Sequence, residues 1–364
     1  MVANLTTRLG QLTSSPAGGP YTGANKIING DMAIDQRNAG ASVVPAATAY
    51  TVDRFKLAMS QASKITIGQT YGGVTPPMGF TTYLGSKVTT TVTIGAGDFF
   101  HLQQIVEGLN CQDLNWGTAN AKAVTLSFWV YSDQTGTFGG SLENSAVTRA
   151  YPFTYTVGVA NTWTLITVNI AGDTSGTWLT SNLEGVRVNW GLGVGTTYSG
   201  TAGAWATADY RSATGAKNLM PTANALFYIT GVKLELGSIA TPFVPDDYKI
   251  SWDKCQRYYQ SYSYNGYVSI GQITGAAQFI SQYTYPNGGM RAATTITIPA
   301  HGSGAGQIYN FTATATDAGG TFVADQGSVN NCRIYNNGNA GVVAGNASLL
   351  ISGANAVFSF DAEL

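Results

Sequence analysis

Apolar and polar residues alternate along much of the chain. In residues 124–131, Val, Leu, Phe and Val occupy the even positions, while Thr, Ser, Trp and Tyr occupy the odd ones. The even positions form the expected buried face in residues 163–170, 186–194 and 226–236 as well. Successive side chains of an extended chain point to opposite sides, so each segment predicts a β-strand with one buried face.

Glycines separate these apolar stretches. The 45 glycines fall singly or in pairs, as turn residues do, and helical periodicity is almost absent. No repeat of fixed period is visible, which argues against a β-helix or a propeller. The pattern therefore predicts an all-β chain with an N-terminal antiparallel β-sandwich of the jelly-roll type, a short connecting helix and a second, small C-terminal β-sandwich.

Changes in composition divide the chain into four parts. Residues 1–24 are small, polar and rich in Gly and Pro, which is typical of an extended arm. Residues 25–245 contain the alternating segments and form the predicted jelly-roll domain. Residues 246–261 are the predicted helical connector, where Ser251 can cap a run of helix-forming residues. Residues 262–364 are the predicted C-terminal domain.

Charged residues are scarce. They make up 10% of the chain and leave a net charge of −1, so no long-range field would attract nucleic acid or an anionic membrane. A neutral partner fits this composition better. No run of about 18 apolar residues occurs and the first residues lack an apolar signal-peptide core, so we expect synthesis in a cytoplasm without membrane insertion.

The residues that carry most enzyme and metal chemistry are few and scattered. The three cysteines, Cys111, Cys255 and Cys332, have no zinc-site spacing and are expected to be reduced. His101 and His301 have no triad partner at a recognised spacing, and phosphate-binding loop motifs are absent. The sequence therefore predicts a non-enzymatic protein without a cofactor or a bound metal.

Carboxylates could form two kinds of site. A glycoside hydrolase needs a pair of them in a cleft, and the candidates follow no motif: Asp98, Glu107, Asp173 and Glu184. Calcium could be held by Asp31 and Glu235, but the calcium-loop motif is missing, so a turn cap and a strand-surface residue are the expected roles.

Aromatic residues are the one suggestive feature. The chain has 20 Tyr and 7 Trp, and sugars bind to aromatic faces helped by hydrogen-bonding side chains. Trp190 alternates with apolar residues and belongs to the predicted core. Trp178, Trp205 and Tyr210 lie outside any alternation among Gly, Ser, Thr and Asn, so they are the candidate glycan-binding residues. The alternative is that they cap the sandwich ends or pack between subunits.

Several separated motifs resemble a widespread module of phage and prophage proteins. The opening KIINGDMAIDQRNAG and YTVDRFKL are similar to its "NLIINGDFRIWQRG…YTADRW", and AVTLSFWVYS resembles its central strand. LFYITGVKLELGSIATPF, followed by CQRYYQ, is similar to its closing signature. The motifs occur in the same order as in the family, and with the C-terminal part the resemblance covers most of residues 25–364.

The resemblance implies a virion structural protein whose first domain is similar to jelly-roll carbohydrate-binding modules. The leading interpretation is a surface-exposed tail fibre or spike that binds a host-surface polysaccharide and assembles as a homo-oligomer, expected to be a trimer. Its N-terminal arm would attach to other virion proteins. Two alternatives remain open: a capsid or collar decoration protein that stabilises the particle, and, with less support, a surface-polysaccharide hydrolase.

Overall fold

The computed structural model describes most of the chain outside residues 1–24. The described residues are 25–274, 278–285, 289–297, 307–310, 315–317, 321–325, 327–337 and 347–364. The predicted N-terminal arm and His301 lie outside these ranges. The chain divides after Ser251 into two units, and the second runs over Trp252–Glu363.

The first unit contains thirteen strands among the described residues. Their bounds are β1 Ala49–Val52, β2 Phe55–Met59, β3 Ile65–Gln69, β4 Leu84–Val88, β5 Phe99–Glu107, β6 Val124–Ser132, β7 Gly136–Asn144, β8 Ala150–Val157, β9 Thr164–Ile170, β10 Glu184–Val194, β11 Ser199–Gly200, β12 Ser212–Ala213 and β13 Leu226–Leu236. Three short 3-10 turns lie at Gly108–Asn110, Gln112–Leu114 and Thr196–Tyr198.

These strands form two antiparallel sheets. The six-stranded sheet has the order β1-β2-β5-β10-β7-β8, and the five-stranded sheet has the order β3-β4-β13-β6-β9. Apolar side chains from both sheets form one continuous core between them. The two short strands β11 and β12 pair in parallel as a separate small sheet. The all-β fold class with a sandwich in the first unit is confirmed.

The predicted buried faces are correct for most strands. Val124, Leu126, Phe128 and Val130 of β6 are completely buried in the core. Trp190 of β10 is also completely buried, as its alternation predicted. Binary patterning thus identifies the inner face wherever the strand is regular.

Strand β13 departs from the predicted alternation. The alternation predicts that all even positions from 226 to 236 share one face, but the register shifts between Thr230 and Lys233, where Gly231 has a left-handed φ of +60°. A bulge reverses the alternation because it adds one residue to the strand. The residues that reach the core are Phe227, Ile229, Val232 and Leu234. Tyr228 packs in an aromatic group elsewhere, so its predicted place on the inner face is wrong.

One α-helix is present among the described residues, α1 at Tyr248–Gln256. The predicted cap at Ser251 is wrong, because the helix begins at Tyr248 and Ser251 lies inside it. The backbone N–H of Lys249 donates to Oδ1 of Asp247 at 2.9 Å, so Asp247 provides the cap. The helix is too short and too polar to span a membrane, and no other described segment is a helix of spanning length.

Among its described residues, the second unit forms one hydrogen-bonded antiparallel sheet. Its strands are β14 Tyr259–Thr274, β15 Gln278–Thr284, β16 Thr295–Thr297, β17 Gln307–Asn310, β18 Ala315–Asp317, β19 Thr321–Asp325, β20 Asn331–Asn337 and β21 Ala347–Asp361. The main order is β18-β17-β21-β14-β15-β20-β19, and β16 also pairs with β21. The unit has its own core, which includes Phe279, Phe358 and Phe360. Cys111, Cys255 and Cys332 are all buried, and no disulfide joins any two of them.

Candidate functional site

Three tryptophans meet at one side of the first unit. The ring centroids of Trp116 and Trp178 lie 4.7 Å apart, those of Trp116 and Trp205 lie 5.2 Å apart, and those of Trp178 and Trp205 lie 5.4 Å apart. All three pairs are edge-to-face, the arrangement that aromatic quadrupoles favour. We call these residues the tryptophan cluster.

Local backbone geometry positions Trp116. It follows Asn115, whose φ of +53° places it in the left-handed region, and it precedes Gly117, with a φ of +81°. A side chain at Gly117 would lie 2.7 Å from the carbonyl oxygen of Gly176, so only glycine permits this approach of the two loops. The indole N–H of Trp116 donates to the carbonyl of Lys122 at 2.8 Å.

A buried ion pair holds the loop that carries Trp178. The guanidinium of Arg149 makes two hydrogen bonds of 2.7 Å to the carboxylate of Asp173, and this pairing raises the pKa of Arg149. The Asp173 side chain is 2% exposed and also accepts the backbone N–H of Ser175 and the indole N–H of Trp178. Bidentate pairing is strong and directional, so the loop has one favoured arrangement.

The edge of the six-stranded sheet positions Trp205. Ala206 forms an antiparallel bridge with Ala150 of β8. The indole N–H of Trp205 donates to the carbonyl of Ala171 at 2.8 Å, and its ring meets Tyr151 edge-on at 5.3 Å. These contacts fix the position of Trp205, and its ring packs against the other two rings of the tryptophan cluster.

A cavity of about 260 Å³ opens beside the tryptophan cluster. Its lining combines indole rings with amide and hydroxyl side chains. The residues are Cys111, Gln112, Leu114, Asn115, Trp116, Thr118, Trp178, Leu179, Thr180, Gly185 and Val186. Burial raises the pKa of the Cys111 thiol to about 12, so it is neutral at physiological pH. The cavity offers aromatic surface and uncharged hydrogen-bonding groups.

The three sequence-predicted residues have different positions. Trp178 lines the cavity, whereas Trp205 touches Trp178 without lining it. Tyr210 lies against Gly200, and no ring contact joins it to the tryptophan cluster in the described part of the chain. All three are half-buried. Their role in binding a glycan stays a prediction.

Sequence reasoning missed Trp116. It lies in residues 108–123, where no alternation marks a strand and the two 3-10 turns interrupt the chain. The available signal was its position between Asn115 and Gly117, two residue types that accept left-handed backbone and often flank an exposed turn. The Arg149–Asp173 pair had no local signal, because its members are far apart in sequence.

The carboxylates considered earlier are largely committed to internal partners. Asp173 pairs with Arg149, and Glu184 accepts the guanidinium of Arg187. Glu235 accepts the N–H of Thr241 at 2.7 Å and forms an ion pair with Lys233 at 3.2 Å. No group of three or more metal-ligating side chains comes together within the described ranges.

A second group of polar side chains lies on the outer face of the six-stranded sheet. The side-chain amide of Gln103 donates to Asn189 at 2.7 Å, and Asn189 donates to Ser141 at 2.9 Å and to Glu143 at 2.6 Å. These residues come from β5, β10 and β7 in register. We call this group the polar ladder.

The polar ladder ends at a buried carboxyl group. Glu143 is 1% exposed, and burial raises its pKa to about 8. Asp209 lies within hydrogen-bonding reach and raises the pKa further, because two carboxylates so close cannot both be ionised easily. Asp209 itself pairs with Arg211, whose guanidinium stacks on Phe99 at 4.1 Å.

Comparisons with known proteins give structural similarities only. No family model matches the sequence, and no curated protein matches it. The enzymatically active domain of tailspike protein 4 of bacteriophage CBA120 is 13% identical, with 62% of this chain and 23% of that chain covered and a TM-score of 0.33. The match thus spans less than a quarter of the tailspike domain.

Two carbohydrate-binding modules are similar over their full length. TmCBM61 in complex with β-1,4-galactotriose is 8% identical, with 58% of this chain and 97% of that chain covered and a TM-score of 0.31. The family 11 module from Clostridium thermocellum, in complex with a β-1,3-1,4-mixed-linked tetrasaccharide, is 10% identical. It has coverage of 55% and 99% and a TM-score of 0.29.

Proposed function

We propose that this chain is a non-enzymatic surface protein of a bacteriophage particle, a tail fibre or spike, that binds a host-surface glycan through the cavity beside the tryptophan cluster. The motifs that resemble phage virion proteins support the location. The single observation that carries the binding role is the cavity itself, where the indoles of Trp116 and Trp178 stand next to uncharged polar groups.

The composition of the cavity favours a neutral sugar. Aromatic faces stack on the apolar C–H faces of sugars, and amide and hydroxyl groups bind their hydroxyls. Sites for drug-sized ligands have roughly 300–1,000 Å³. A volume of about 260 Å³ is slightly smaller, which suits one sugar ring at the end or on a branch of a polysaccharide.

A binding role without catalysis agrees with the state of the carboxylates. Asp173 and Glu184 are held in ion pairs with arginines, so neither is poised as a free acid or base. Hydrolysis of a glycoside needs two such groups facing the bond. Incubation of the protein with host polysaccharide should release no reducing sugar, and release of reducing sugar would contradict this part of the proposal.

Adsorption competition tests the binding role directly. Purified protein is added to host cells before the phage, and unadsorbed phage are then counted. We expect dose-dependent protection of the cells. Absence of protection at saturating protein would reject receptor binding, and labelled antibody that marks the head alone would favour the capsid decoration role.

Substitutions assign the binding to the cavity. Trp178→Ala should weaken protection roughly five- to a hundredfold, because stacking on an aromatic ring is worth about 1–3 kcal/mol by analogy with base stacking. Trp163→Ala is the matched control, since Trp163 is also half-buried and its indole N–H also bonds to a backbone carbonyl. Equal losses in both variants, with the melting temperature of wild type, would exclude the cavity as the site.

The proposed fibre is a homotrimer, since fibres commonly use this symmetry. Light scattering at micromolar concentration should give three times the monomer mass of 38.1 kDa. A stable monomer at this concentration would contradict the fibre assignment but leave the binding site untouched.

A further inference from the structure

The cavity beside the tryptophan cluster is apolar inside and polar at its opening. The buried residues that line it, which we call the floor, are Cys111, Leu114, Trp116, Gly185 and Val186. The exposed residues that line it, which we call the rim, each have an amide or a hydroxyl group and are Gln112, Asn115, Thr118 and Thr180. A ligand in the cavity therefore meets polar side chains at the rim and apolar side chains at the floor.

The two indoles of the cavity present only hydrocarbon surface to a ligand. The N–H of Trp116 is donated to the carbonyl of Lys122 at 2.8 Å. The N–H of Trp178 is shared between Oδ2 of Asp173 at 3.3 Å and the carbonyl of Ser175 at 3.2 Å. An indole has one donor and no acceptor, so both rings have their polar atom engaged within the protein.

Cys111 also contributes apolar surface to the floor. Its side chain is 7% exposed. A Cβ at Gly185 would lie 3.0 Å from the sulfur, so the glycine keeps a second side chain away from it. A free thiol behaves as a small apolar group with only a weak donor. The sulfur can therefore contact a methyl group, but it is a poor partner for a hydroxyl.

The floor disfavours a sugar that points a hydroxyl inward. A hydroxyl taken out of water without a partner is unfavourable, whereas a methyl group in the same place removes apolar surface from water. The floor is continuous with the main core of the first unit, to which Leu114, Trp116 and Val186 belong. A ligand that suits both levels of the cavity has an apolar substituent at the floor and its hydroxyls at the rim.

We propose that the cavity selects a neutral sugar that carries a methyl group, with the methyl at the floor and the ring hydroxyls at the rim. The methyl can be that of a 6-deoxyhexose or that of an acetyl substituent, since both extend beyond a ring that keeps its other hydroxyls. This inference rests on the proposed function, because it names the class of sugar for the same cavity.

Matched sugars test the preference for a methyl group. The full chain is titrated with D-fucose and D-galactose, with L-rhamnose and L-mannose, and with N-acetyl-D-glucosamine and D-glucose, and binding is followed by saturation-transfer difference NMR. We expect a methyl-bearing sugar to bind roughly five- to a hundredfold more tightly than its parent, the range for a buried hydroxyl without a partner. Its methyl protons should receive the largest saturation. A preference in the first two pairs assigns a deoxyhexose, and a preference in the third assigns an acetyl group.

Two substitutions separate the floor from the rim. Cys111→Ser places a hydroxyl at the floor, so it should reduce the ratio of the two affinities in a pair roughly two- to tenfold, the range for one hydrogen bond. Thr180→Val removes a hydroxyl of the rim, so it should weaken both members of a pair and keep their ratio. Cys332→Ser is the matched control, because Cys332 is also free and buried but belongs to the second unit. It should change neither the affinities nor their ratio, and melting temperatures verify that each variant is folded.

Three results would overturn the inference. The first is that the parent sugars bind as tightly as their methyl-bearing partners. The second is that the methyl protons receive less saturation than the ring protons, and the third is that no methyl-bearing sugar binds. The adsorption competition decides the proposed function separately. Protection of the cells together with any of these results would retain glycan binding and remove only the methyl preference, whereas loss of protection would remove both.

Discussion

Glu143 is a buried acid of the first unit whose surroundings favour its protonated form. It is almost fully buried, accepts a hydrogen bond from Asn189 and faces Asp209. Its second oxygen, Oε1, has no hydrogen-bond partner as a carboxylate. A proton on this oxygen allows it to donate to Asp209, so the neutral acid fits the site better than the anion does.

This raised pKa predicts a pH dependence of stability. Between an unfolded pKa of about 4.5 and a folded pKa of about 8, the folded state holds a proton that the unfolded state has released. The contribution of Glu143 to the free energy of unfolding is therefore complete below pH 4.5. It is lost as the pH rises towards 8, a change on the order of a few kcal/mol. Glu143→Gln should remove it, as measured by urea unfolding at several pH values.

The difference between wild type and Glu143→Gln isolates the interacting pair of Glu143 and Asp209. Asp53, with a pKa raised to about 6 by burial, and His101, with a lowered pKa, titrate in the same range in both proteins. Their contributions to the free energy of unfolding cancel when the values for the two proteins are subtracted. Parallel stability curves for the two proteins from pH 5 to pH 9 would show that Glu143 is ionised in the folded state.

At the level of single residues, only part of the candidate site could be predicted from the sequence. Trp178 and Trp205 were found because they interrupt the alternation among small polar residues. Their contact with each other and with Trp116 is a tertiary feature, and so is the pairing of Arg149 with Asp173. A single sequence shows which residues lie outside the predicted strands, but it does not show which of these residues contact one another in the fold.

Among the structural elements, the segment before β1 is joined to β13 by a close backbone contact. The N–H of Val232 donates to the carbonyl of Gly30 at 2.8 Å, and a Cβ at Gly30 would lie 2.1 Å from the carbonyl oxygen of Val232. The two residues belong to the opening and closing motifs of the sequence. The motifs therefore have a structural role, because they hold the N-terminal segment against the bulged strand.

Gly30→Ala tests this contact. The added methyl group meets backbone that cannot rotate away, so we expect destabilisation of about 3 kcal/mol, at the upper end for overpacking. Gly97→Ala is the control, because its Cβ would have no atom within 4 Å and its backbone has no left-handed φ. Thermal unfolding of both variants provides the measurement. Similar melting temperatures would mean that the N-terminal segment is held elsewhere.

The strands also show where pattern reading succeeds and fails. In β6 the alternation is regular and predicts the correct inner face along the strand. In β10 the prediction is correct from Val186 to Leu192, but the register shifts between Gly191 and Gly193 and the predicted place of Val194 in the core is wrong. In β13 the alternation fails at Gly231, since a glycine in a strand allows a bulge but does not require one. The helix cap was wrongly predicted at Ser251 for a related reason. Asp247 is an equally good cap, and local sequence does not distinguish between the two residues.

At the scale of the whole molecule, the described residues of each unit form a main hydrophobic core of their own. Phe128 is completely buried in the first, and its ring packs against Tyr155 and Trp190. Phe360 is completely buried in the second, where it packs against Tyr283 and Tyr285. Each unit therefore has its own apolar interior, as expected of a domain.

Two cores predict two thermal transitions. Phe→Ala substitutions in a core cost about 3–5 kcal/mol, so Phe128→Ala and Phe360→Ala should each lower one transition and leave the other in place. Differential scanning calorimetry of the full chain measures this. If both variants shift the same single transition, the units unfold as one cooperative body.

The ion pair between Arg149 and Asp173 separates the parts of the cavity that must be kept from those that can vary. Asp173 fixes the base of the 173–178 loop from within the protein, whereas Gln112, Thr118 and Thr180 contact the cavity from its rim. Gln112 and Thr118 also donate to the backbone carbonyls of Thr180 and Asn115, so they belong to the frame of the proposed site as well. Thr180 is the rim position at which exchange would change the cavity wall and leave these bonds and the ion pair in place, so a library that diversifies the proposed site should begin there.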